Sequence, residues 1–341
     1  IGDNAVGIEI SNLALESCPA GPGNRVQGNY IGVAPNGSSP RGNAGIGVRV
    51  ASVGNTIGGT EGTTPGGACT GMCNLISANG SHGVSIAFAA EEFRQEPPSA
   101  TVQGDYIGTA ADGQRGPADL GNRSDGVFFN THNVLIGGPS ANARNVIADN
   151  AGNGVQIQFS RFGRVLGNYI GTDATGTADV GNTLSGFGSI SADDIEIGGP
   201  APGEGNLISG NDGAGITIDG SYNLVRGNII GLNATGADPL GNSLDGVTIP
   251  NTASPSFSRF TVIGGSNAGD RNVISANGGS GVLLAEDTEN RIEGNFIGTD
   301  LTGTAELGNT RSGVHLPLGS GGIVGGTTGL TPGGACTGSC N

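Results

Sequence analysis

Two copies of one phrase place thiols where a covalent or a metal bond could form. Thr64-Pro-Gly-Gly-Ala-Cys69-Thr-Gly-Met-Cys73-Asn returns as Thr331-Pro-Gly-Gly-Ala-Cys336-Thr-Gly-Ser-Cys340-Asn. Each pair predicts a small disulfide, Cys69–Cys73 and Cys336–Cys340, pinning the loop that carries it; four thiolates on one zinc ion is the alternative. Cys18 has no local partner and is either a free thiol or a link to something outside the chain. A second chemistry is offered by acidic loops. Thr172-Asp-Ala-Thr-Gly-Thr-Ala-Asp-Val-Gly-Asn182 and its relative Thr299–Asn309 carry Asp173, Asp179, Asp300 and Glu306, a candidate oxygen set for calcium, which takes six to eight such ligands. Against calcium, the related loop Val33–Asn43 has no carboxylate and Asn233 stands where other copies have Asp, so plain turn chemistry competes, with glycan or partner recognition as a third reading. No other metal or cofactor is expected.

Proton transfer would need His82, His132, His315 or the pair Asp193-Asp194. The three histidines fall at different phases of the chain's internal repeat and read as surface groups, and the Asp pair reads as a solvated turn. No nucleophile elbow, phosphate loop or His-Glu-x-x-His phrase is present. No residue is therefore assigned as catalytic. Asn-x-Ser/Thr matches at Asn36, Asn79, Asn122 and Asn233 are compatible with glycosylation, a weak signal in a chain so rich in Asn, Ser and Thr.

The elements that carry these groups are set by repetition. Gly-(Asn/Asp)-(aromatic or Ile)-Ile-Gly occurs at Gly28–Gly32, Gly104–Gly108, Gly167–Gly171, Gly227–Gly231 and Gly294–Gly298, and Asn-x-Ile-(Ser/Ala) falls between at Asn74–Ser77, Asn145–Ala148, Asn206–Ser209 and Asn272–Ser275. Periods of this size mean stacked units. Within one unit, segments such as Asn206-Leu-Ile-Ser, Gly215-Ile-Thr-Ile and Gly246-Val-Thr-Ile alternate aliphatic with small or polar residues and are bounded by Gly, Asn, Asp or Ser, which is a strand between turns. Three strands close one triangular coil and two coils make a unit. A coil cannot bury its apolar face alone, so coils stack at the ~4.8 Å strand spacing into a rod roughly 50 Å long. The predicted fold is all-β, a β-solenoid of about ten three-strand coils. It forms one domain over 1–341, with units 1–73, 74–144, 145–205, 206–271 and 272–340. On such a rod the two Cys pairs stand four units apart, beyond the reach of one ion. Asn29, Asn74, Asn145, Asn168, Asn206, Asn228, Asn272 and Asn295 fall at the bends, where stacked amides form a turn ladder.

These phrases resemble the right-handed parallel β-helix, or pectate-lyase-like, family, and in particular the Asn/Gly-rich arrays of bacterial surface and secreted proteins. The resemblance spans the whole chain. As an enzyme of that family the chain would be expected to gather carboxylates on one face, with Arg or Lys near them to handle a uronate. The family's hydrolase phrases are incomplete here: Asp193-Asp194 supplies an Asp pair and Ser81-His82-Gly83 a faint His phrase, in the wrong order, and an Arg-Ile-Lys phrase is impossible without lysine.

Composition narrows the rest. The net charge is −15 and all 14 basic residues are Arg, which disfavours nucleic acid and anionic membranes as partners. No apolar run is long enough to span a bilayer. Disulfides imply an oxidising compartment, extracellular or at the cell surface. The chain starts and stops at nearly the same phase of the repeat, which predicts a segment of a longer array or an end-to-end polymer. The units look alike, and the leading expectation is a non-enzymatic stalk, adhesin or filament subunit that contacts neighbouring repeats and cell-surface glycans. The alternative is a polysaccharide-active β-helix enzyme, a lyase or hydrolase. The two are separated by whether Asp, Glu, Arg and His from adjacent coils meet on one lateral face.

Overall fold

In the computed structural model the described residues are 1–11, 23–87, 98–250, 258–285, 289–317, 322–326 and 341. They form three parallel sheets. Sheet A runs over ten strands from Ile8–Ser11 to Val314–His315, sheet B over ten from Arg25–Val26 to Ile323–Val324, and sheet C over nine from Tyr30–Ile31 to Phe296–Ile297. The chain visits A, B and C in turn and returns to A one level up, the winding of a right-handed parallel β-helix.

Register follows from the period-two pattern. In sheet A, Val48 pairs with Val84, Val84 with Val127, Val127 with Val155 and Val155 with Phe187. In sheet C, Ile31, Ile76, Ile107, Ile147 and Ile170 follow one another in the same way. These side chains are fully buried and share one continuous apolar column with the inward residues of sheet B. Each contributes about 1.5–3 kcal/mol by leaving water, and a one-residue slip would turn the whole set outward.

Two corners are fastened by amide ladders. Between sheets B and C, the side-chain amide of Asn29 donates to Asn74 Oδ1, and the same contact runs through Asn145, Asn168, Asn206, Asn228, Asn272 and Asn295 to Asn341, with Asp105 standing between Asn74 and Asn145. Between sheets C and A a second ladder links Asn4, Asn43, Asn79, Asn122, Asn150, Asn182, Asn211, Asn242, Asn277 and Asn309. In both, the backbone N–H of one rung shares the acceptor of its own side chain, for example Asn145 N and Nδ2 on Asn168 Oδ1 at 3.3 and 2.9 Å. Corner polar groups that no water can reach are thus satisfied within the stack.

The acidic insertions stack as a ridge outside sheet C. Ala111 N donates to Gly37 O, Ala174 N to Gly113 O, Ala234 N to Gly176 O and Leu301 N to Gly236 O. The ridge covers the outer residues of sheet C, so Val33, Leu75, Tyr106, Leu120 and Val146 make a second, smaller core with Cys69 and Cys73. The bond Cys69–Cys73 closes the loop lying on that core. Cys18, Cys336 and Cys340 lie outside the described residues. No helix among the described residues is long and apolar enough to cross a membrane.

Candidate functional site

The acidic loops hold their own carboxylates. Asp173 Oδ1 accepts the Thr177 and Ala178 amides at 2.8 and 3.0 Å, and Oδ2 accepts the Thr175 hydroxyl at 2.6 Å and Gln114 Nε2 at 2.8 Å. Partial burial pushes this carboxyl up, but the four hydrogen bonds together hold it below the usual carboxylate range. Asp300 repeats the pattern with Thr302, Thr304 and Ala305, Asp179 accepts the Gly181 amide, and Glu306 bridges back to Thr299. Asp173 and Asp179 share one loop, Asp300 and Glu306 another, and among the described residues no three His, Cys, Asp or Glu side chains gather as metal ligands. Of the glycosylation matches, Asn79 and Asn122 are fully buried rungs of the second ladder, whereas Asn36 is exposed.

The edge between sheets A and B differs from the rest of the rod. Its turns carry His132-Asn133, Arg161-Phe162, Asp193-Asp194, Ser221-Tyr222 and Arg259-Phe260 on successive coils. Asn133, Phe162, Asp194, Tyr222 and Phe260 all take left-handed backbone, with φ of 57°, 59°, 56°, 60° and 56°. For an L-residue this costs about 1–2 kcal/mol, and three of the five are bulky aromatics. Tyr222 is 55% and Phe260 38% exposed, and their rings stack at 4.9 Å.

Charged groups interlock across these turns. Arg161 Nη2 lies 2.9 Å from Asp193 Oδ2, Asp193 Oδ1 accepts the Ser221 amide at 2.8 Å, and the Arg161 amide donates to His132 Nδ1 at 3.0 Å. That last bond requires a neutral imidazole with its proton on Nε2. Burial, helped by the Arg161 charge, moves His132 below its ordinary pKa. Beside the turns, the outward residues of sheet B are in register as Leu135, Arg164, Glu196 and Leu224. Arg226, two residues on, places Nη2 2.5 Å from Glu196 Oε1 and Nη1 3.5 Å from Asp270 Oδ1. Phe162, Arg164, Asp194, Glu196, Tyr222 and Arg226 line one open lateral groove. Burial raises Asp194 above the usual carboxylate range, opposed by Arg161 and assisted by Asp193.

Asp, Glu, Arg and His from adjacent coils therefore do meet on one lateral face. Asp193 is not a freely solvated turn residue but is held by Arg161 and Ser221. Of the other histidines, His82 stacks on Phe128 at 4.8 Å with Nδ1 3.2 Å from Asp125 Oδ2, and His315 is exposed on sheet A. Neither belongs to the groove.

No protein-family model matches the sequence, and no curated protein matches it. In fold the chain is similar to solved crystal structures. One is a double mutant of the periplasmic alginate epimerase AlgG, at TM-score 0.38; another is a single-site mutant of the same protein, at 0.36. Each is 12% identical in sequence, over 82% of this chain and 67% of that one. The likeness is one of fold. The expectation of a non-enzymatic stalk, adhesin or filament subunit is corrected at this point. The edge between sheets A and B carries the lateral cluster that separates the enzymatic alternative from an inert rod.

Proposed function

We propose that the chain is a polysaccharide-active β-helix enzyme, a lyase or hydrolase working in the groove beside the edge between sheets A and B. The observation that carries the reading is the meeting of Arg164, Asp194, Glu196 and Arg226 from three successive coils in one open lateral groove, beside turns where His132, Arg161 and Asp193 interlock. A long groove suits a polymer, because a chain molecule can lie across several coils while only one bond sits at the reacting groups. Asp194 lines the groove and is the proton-transfer group of this reading; burial raises its carboxyl above the usual carboxylate range. Arg164, which lines the groove, offers a positive charge to an anionic sugar in a chain that is otherwise acidic. Tyr222 and Phe260 offer apolar ring surface at the rim. The closed Cys69–Cys73 bond accords with a location outside the cytoplasm.

The test is an assay of the purified chain against acidic and neutral polysaccharides, reading new reducing ends and unsaturated products. The reading expects turnover of an acidic polymer that falls about 10²–10⁴-fold in Asp194→Asn. Absence of turnover on every polymer, or full activity in Asp194→Asn, overturns it.

A further inference from the structure

The ladder between sheets B and C has one rung that is an acid. An amide rung does two things: its Oδ1 accepts from the rung before, and its Nδ2 donates to the rung after and to a backbone carbonyl. Asp105 does the first, with Oδ1 accepting Asn74 N at 2.8 Å and Asn74 Nδ2 at 2.9 Å. On the other side Asn145 Oδ1 receives the Asp105 backbone N–H at 3.0 Å. The second bond, which Asn74, Asn145, Asn168 and the later rungs supply from Nδ2, has no amide to make it. Asp105 Oδ2 stands there instead, in a residue with no exposure to water, and has no hydrogen-bond partner.

The surroundings of Oδ2 are acceptors. Asn145 Oδ1 is one. Ile57, which pairs with Val26 and Val102 in sheet B, occupies the place of the residues whose carbonyls receive Asn74 Nδ2 and Asn145 Nδ2. A Cβ on Gly58 would lie 2.5 Å from both carboxyl oxygens, so backbone closes that side. Among the described residues no cation compensates. The neighbouring titratable side chains are Tyr106, whose hydroxyl donates to Gly67 O, and Arg144, which lies over the Tyr169 ring at 3.9 Å; both are engaged elsewhere. An ionised carboxylate would set an unpaired negative oxygen against other acceptors in the dry interior.

We infer that Asp105 is a protonated carboxylic acid whose Oδ2–H replaces the missing amide hydrogen of the ladder, and that loss of this proton to solvent weakens the seam between the third and fourth coils. Burial pushes the carboxyl up to about 8, against the pull of the two Asn74 bonds. The folded pKa is raised, so the stabilisation is complete below the unfolded value of about 3.9 and is lost as pH rises through about 8.

The test compares urea unfolding of the native chain and Asp105→Asn from pH 4 to 10, together with infrared spectra of both. Asn is the residue of the other rungs, so the variant keeps the shape of the ladder. Relative to Asp105→Asn, the folded-to-unfolded ratio of the native chain is expected to fall about tenfold per pH unit between about pH 4 and 8. The folded native chain shows one more protonated-carboxyl C=O band at pH 6 than the variant, and that band disappears by pH 10. Parallel pH profiles, or no such band in the native chain at pH 6, overturn the inference; the band is read on the native chain alone, whatever the variant's yield.

Discussion

Replacing Asn168 by Ala removes one rung from the middle of a ladder and shows how much the amides hold. Asn168 is fully buried; its Oδ1 accepts Asn145 N and Nδ2, and its Nδ2 donates to Ile136 O, Leu166 O and Asn206 Oδ1. Alanine keeps the backbone bond to Asn206 Oδ1 but orphans the Asn145 amide and one hydrogen of its side chain, where no water enters. Each buried donor left unpaired costs about 1–3 kcal/mol, so the loss is about 2–6 kcal/mol. Urea unfolding followed by far-ultraviolet circular dichroism measures it, and exchange of the Asn145 and Val146 amides locates it. A loss under about 1 kcal/mol, or faster exchange confined to another coil, would refute the claim that the ladder is a structural fastening.

Two further outcomes follow from the turns and the loops. Gly171 has φ of 91°, and a Cβ there would lie 2.3 Å from Ser209 O; Gly171→Ala is expected to cost about 2–5 kcal/mol in the same urea assay. Asp173 titrates below its ordinary value, so its contribution to the loop is present above about pH 4 and lost as pH falls through the lower folded value. Amide exchange at Thr177 and Ala178, corrected for its intrinsic pH dependence, should speed up only at acid pH, and Asp173→Asn should flatten that response.

The fold was legible because its chemistry is local. Ile and Val two apart, bounded by Gly and Asn, state a strand and a bend within a few residues, and Asn74, Asn145, Asn206 and Asn272 open the same phrase each time. The second ladder has a weaker signal: its rungs alternate between the Asn five residues after that opening, as in Asn79 and Asn150, and the Gly-Asn closing each insertion, as in Asn122 and Asn182. Two unlike phrases hide one column. Asp105 was visible only as a departure from Asn in the repeated phrase, and its protonation follows from burial, which composition does not contain. The lateral groove was less legible still. Arg161 meets Asp193 across 32 residues and Arg226 meets Glu196 across 30, spans set by coil lengths that vary along the chain. Similar units suggested an inert rod, yet what distinguishes the middle coils is a few side chains in turns whose frame is common to all.

The most direct measurement of the central claim is a crystal structure of Asp194→Asn with an acidic oligosaccharide bound. The account predicts sugar density in the groove, with a carboxylate near Arg164 and a ring against Tyr222. Density along the loop ridge outside sheet C, or on the face of sheet A beside His82, with an empty groove, would contradict it.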